Sequence, residues 1–176
     1  MSASPLAERG PTYLDRRTAA GQPRLTPEDH QSLGDTAYRL AREHERAHGI
    51  DHEDTVGLYR EAATHLVNVV VQGRRDGKPE PVTMFKIADS LAKQAEVARD
   101  PYLERIATRD AREAALLAIQ KGRADKELAS ELEALDPDGV PGIGGVPEIL
   151  DPEQVSDMAE RAIEQLTDEH ELPLAA

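Results

Sequence analysis

The stretch DTVGLYREAATHLVNVVV, residues 54–71, decides the fold. Val56, Tyr59, Ala63, Leu66 and Val70 recur in alternating steps of three and four, which is one stripe along a helix. Its end, Leu66 to Val71, is apolar nearly all round and read alone would suit a strand. The stripe enters that run without a break, so a helix buried on several sides is expected, beginning at Asp51 with Glu53 and Asp54 in its first turn. Residues 72–81 (QGRRDGKPEP) then read as a polar loop.

Working outward, the same signals recur. Thr26-Pro27-Glu28-Asp29 offers a capping hydroxyl, a proline suited to a first turn and two acids facing the positive end of a helix dipole. Leu33, Ala37, Leu40 and Ala41 continue that helix until Gly49 stops it. A third helix is expected over residues 82–98, with Met84, Ala88, Leu91 and Ala95 on one face. Asp100-Pro101 starts a fourth, which either ends at Gly122 or runs on through Leu128, Leu132 and Leu135. Asp151-Pro152 opens the last, whose apolar face is Val155, Met158, Ala162, Ile163 and Leu166. No strand pattern or fixed-period repeat emerges. The expected fold is all-α, a bundle of about five to six helices. Its organisation is a disordered basic arm over 1–25, the bundle over 26–135, a Gly/Pro linker over 136–150, and an acidic amphipathic helix and tail over 151–176.

Composition narrows the chemistry. The 176 residues contain no cysteine, so disulfides, thiolate–metal sites and cysteine nucleophiles are excluded. There is no Trp and one Phe, so the core is built from Leu, Val, Ile and Ala and is thin, which predicts a homo-oligomer. Met1–Gly10 holds no apolar run and no long apolar span follows, so a cytoplasmic protein without membrane contact is expected. The net charge is −13, and residues 124–176 carry 15 acidic groups against two basic ones. Such a surface repels phosphate, so direct nucleic-acid binding is not expected and a basic protein is the natural partner. Arg9, Arg16, Arg17 and Arg24 in the N-terminal arm are too scattered to make a nucleic-acid patch.

One motif carries catalytic chemistry: His44-Glu45-Arg46-Ala47-His48, an H-E-x-x-H. Two histidines four apart share a helix face and can both ligate zinc, with the glutamate as base on bound water. His52, four residues on, is a candidate third ligand. Over these five residues the motif resembles that of zincin metallopeptidases. The resemblance implies His44 and His48 as zinc ligands and Glu45 as the catalytic base. Glu43 and Arg46 depart from the uncharged surroundings of the motif in that family. The reading adopted is therefore that the three histidines are polar residues at a solvated turn, with no cofactor.

The function expected from the sequence is non-enzymatic: a helical protein–protein interaction module, adaptor or assembly subunit. Val155, Met158, Ala162 and Leu166 are the partner-binding candidates, since a tethered amphipathic helix suits a groove on another protein or on the bundle itself. The alternatives are a zinc-dependent hydrolase at residues 44–48 and an acidic regulator that sequesters a basic partner or mimics nucleic acid.

Overall fold

The computed structural model describes residues 25–76, 79–133 and 150–171. Six helices and no strand occur among them: α1 (Pro27–His48), α2 (Glu53–Asp76), α3 (Pro81–Ala98), α4 (Pro101–Gln120), α5 (Lys126–Glu133) and α6 (Pro152–Glu171). The expected all-α bundle is the observed one. No described helix is long and apolar enough to cross a membrane. Most of the N-terminal arm and all but Leu150 of the Gly/Pro stretch lie outside the described residues.

The helix starts follow their capping chemistry. Thr26 Oγ1 accepts the Asp29 amide and Asp29 Oδ2 accepts the Thr26 amide, both at 3.1 Å, a reciprocal capping box. Asp100 Oδ1 accepts from Tyr102 N at 3.0 Å, and Asp151 Oδ1 from Glu153 N at 2.9 Å. Gly122, at φ +66°, breaks α4 from α5, so these are two helices rather than one. Residues 72–76, expected to lie in a loop, instead prolong α2 to Asp76. Gly73 lies inside the helix with Pro79 beside it: an added Cβ would lie 3.7 Å from the Pro79 Cα, an ordinary contact distance.

α1 and α2 form an antiparallel hairpin, and α3 is the central helix, packed against α2, α4 and α6. Residues as unlike as Phe85, Ile87, Asp89 and Ala92 are therefore all buried on it. Against α4 the packing is by alanine, with Ala88 and Ala92 meeting Ala107 and Ala111, and Val155 of α6 closing that cluster. The main core joins Leu66, Val70 and Phe85 to Leu117, Leu128 and Leu132. α6 belongs to this core through Ala159, Ala162, Ile163 and Leu166. Its apolar face thus meets the bundle of its own chain.

The α1–α2 approach is set by a glycine. A Cβ on Gly34 would stand 2.6 Å from Leu66 Cδ2 and 2.7 Å from its Cγ, and Leu66 is fully buried. Gly57, in α2, has nothing within 4 Å of its missing Cβ. Gly34→Ala should therefore lower stability by about 1–2 kcal/mol, overpacking outweighing a helix-propensity gain of about 1 kcal/mol. Gly57→Ala should raise it by about 0.5–1 kcal/mol. Denaturant unfolding of the two variants beside the parent checks the pair. Equal gains in both would mean that the helices do not meet at Gly34.

Candidate functional site

The H-E-x-x-H segment ends α1, and the helix divides it. Successive residues point about 100° apart, so the face that carries His44 and His48 is not the face of Glu45. Glu45 turns inward, where its Oε1 accepts a 2.8 Å hydrogen bond from Lys93 Nζ of α3 and its Oε2 accepts one from the Tyr59 hydroxyl of α2. The carboxylate required as base on a zinc-bound water is thus committed to two partners from two other helices.

These bonds belong to a larger, partly buried polar network. The Tyr38 hydroxyl of α1 donates to Asp89 Oδ2 of α3 at 2.5 Å. Lys93 also comes within 4.0 Å of Glu160 of α6, which lies 3.7 Å from Arg42 of α1. Asp89 is fully buried, and neither its Oδ1 nor the buried Ser156 Oγ of α6 has a hydrogen-bond partner. The serine is near enough to favour the carboxylate's charge, but the pair lacks hydrogen-bond geometry. Burial pushes the Asp89 carboxyl up to about 6, against the opposing Tyr38 hydrogen bond and the Lys93 charge. Burial, then the Glu45 hydrogen bond, holds the Tyr59 hydroxyl protonated far above its ordinary range. At Lys93 burial opposes the ammonium, yet the Glu45 bond and the Asp89 charge prevail and raise its pKa. Within the network Lys93 and Arg42 face the carboxyls of Glu45, Asp89 and Glu160, and two tyrosine hydroxyls donate to them.

The histidines face the other way, toward the α1–α2 turn. The ring centroids of His44 and His48 are 4.4 Å apart, those of His44 and His52 4.8 Å, and those of His48 and His52 5.3 Å. His44 Nδ1 lies 2.6 Å from Thr55 Oγ1, and Thr55 in turn donates to the Gly49 carbonyl at 3.0 Å. Ligand atoms of His44, His52 and Asp54 all fall within 4.8 Å of one another. A separate pair, His30 and His65, meets Nδ1 to Nδ1 at 3.0 Å, and burial lowers the pKa of both.

The structure thus brings His44, His48 and His52 together and separates Glu45 from them. Val155, Ala162 and Leu166 are buried in the chain's own core, and Met158 packs against it. Tyr38, Asp89, Lys93 and Ser156 were not singled out in the sequence. A low share of charged residues on α3 was the available signal, because a helix buried all round keeps only polar groups that find partners inside. No protein-family model matches the chain, and no curated protein or solved structure matches it significantly.

Asp89 gives the network a pH signature. Its folded pKa, about 6, lies above the value of roughly 4 expected in the unfolded chain. Protonation therefore favours the folded state. The contribution is complete below pH ~4 and is lost as pH rises through ~6. Asp89→Asn should remove that dependence, so its stability relative to the parent should rise between pH 4 and pH 7 by something on the order of 2 kcal/mol. Denaturant unfolding of both proteins across that range measures it, and a pH-independent difference would place the carboxyl in water.

Proposed function

We propose that this chain is a non-enzymatic helical interaction subunit that pairs with a second copy of itself along the outer ridge of α2. The observation that carries this reading is the exposure of Val67 (42%) and Val71 (49%), four residues apart on one helix face. The two polar residues among them each place one donor within the helix: the Thr64 hydroxyl donates to the Arg60 carbonyl at 2.9 Å, and Asn68 Nδ2 donates to the Thr64 carbonyl at 2.8 Å. Covering Val67 and Val71 therefore removes apolar surface from water, with one donor of each neighbouring polar side chain already bonded within the helix. The alanine-rich interior buries little area per residue, which adds to the benefit of a second copy. The commitment of Glu45 to Lys93 and Tyr59 supports a non-catalytic reading over hydrolysis.

A second reading, capture of a basic partner, is supported by α6, which buries its apolar face and leaves Glu153, Asp157 and Glu164 exposed.

Light scattering at micromolar concentration should give the parent a mass above that of one chain. The double variant Val67→Asp/Val71→Asp should have the mass of one chain and unchanged helical content, since both side chains are exposed. A monomeric parent, or a double variant that keeps the higher mass, would sink the self-pairing.

A further inference from the structure

We propose that His44, His52 and Asp54 form a binding site for one divalent transition-metal ion of the Zn2+ class, which fastens the end of α1 to the start of α2. The hydrogen-bond pattern at the turn prepares the first ligand. Thr55 Oγ1 has a single proton, and that proton goes to the Gly49 carbonyl at 3.0 Å. The 2.6 Å contact between Thr55 Oγ1 and His44 Nδ1 must then be made by a proton on the imidazole. Neutral His44 is held as the Nδ1–H tautomer, with its Nε2 lone pair free for a metal. A ligating histidine whose other nitrogen donates to an oxygen is the usual second-shell arrangement at metal sites.

The remaining ligands come from across the turn. His52 Nδ1 lies 3.9 Å from Asp54 Oδ2 and accepts the Asp54 backbone amide at 3.2 Å, so ligation through that nitrogen replaces this hydrogen bond. The candidate ligand atoms of the three residues are within 4.8 Å of one another, whereas a tetrahedral zinc with bonds near 2.0–2.1 Å sets its ligands roughly 3.3 Å apart. The widest edge must therefore contract by roughly 1.5 Å. His52 and Asp54 are exposed side chains beside a short turn, free to make that movement. Two imidazoles and one carboxylate suit Zn2+, Co2+ or Ni2+ and disfavour Mg2+ and Ca2+, which take oxygen ligands. His48, whose ring lies 4.4 Å from that of His44, is the nearest further donor.

The site differs from the one the H-E-x-x-H motif suggests. Its donors bridge two helices, and Glu45 points away into the core. Its role is to fix a turn. Only residues 49–52 join α1 to α2, and Gly49 within them has φ +88°.

The test uses the full chain without a tag, stripped by chelator and titrated with Zn2+ or Co2+. One ion per chain should bind. A hundredfold excess over Kd should raise the thermal midpoint by about 5–10 °C. His44→Ala, His52→Ala and Asp54→Asn should each weaken binding at least tenfold. Thr55→Val, which leaves every ligand in place, should weaken it by about 10–100-fold. His30→Ala should bind as the parent does. Circular dichroism without metal verifies that each variant is folded. Absence of binding, several ions per chain, or binding that survives His52→Ala would overturn the site. Loss in His48→Ala with none in His52→Ala would assign the ion to the H-E-x-x-H pair instead and equally overturn it.

Discussion

The carboxylate of Glu45 holds three helices at one point. It belongs to α1, it accepts from Tyr59 of α2, and it accepts from Lys93 of α3. Both side chains of the Glu45–Lys93 pair are largely screened from water, so neither is easily left without the other. Lys93 passes the constraint on to Asp89 and Glu160, and Glu160 to Arg42. Four of the six described helices are thereby tied through one polar network, beside a core made mostly of alanine and branched aliphatic residues with Met84 and Phe85.

The same constraint decides how the H-E-x-x-H segment is used. A helix cannot aim residues 44, 45 and 48 at one point without help from its surroundings. Here the surroundings draw residue 45 toward a lysine and a tyrosine, and residue 44 toward Thr55 at the turn. What results is a structural carboxylate on one side of α1 and an imidazole cluster on the other. A water-activating base beside a metal is the arrangement this division works against.

The fold was largely legible in the sequence because its signals were local. The cap at Thr26-Pro27, the stripe from Val56 to Val70 and the face from Val155 to Leu166 each follow from spacing within a single helix. What was not legible depends on which helices meet. Asp89 sits in α3 with no periodic cue that it is buried, and its hydrogen-bond donor, Tyr38, is 51 positions away. Gly34 reads as a weak point in α1 until Leu66 is seen against it. Asp54 reads as a favourable first-turn acid, and its approach to His52 and His44 needs the geometry of the turn. The two glycines and two prolines of the polar stretch 72–81 point to a loop, whereas the helix runs through Gly73 to Asp76.

The central claim is that Glu45 is a structural member of the interior, coupled to Lys93. A double-mutant cycle of Glu45→Gln and Lys93→Met, followed by denaturant unfolding at neutral pH, measures that coupling directly. The expected interaction energy is about 1–3 kcal/mol, with each single variant less stable than the parent. A coupling below about 0.5 kcal/mol would show the two side chains to be independent, which would contradict the account and return Glu45 to the set of groups free to do chemistry.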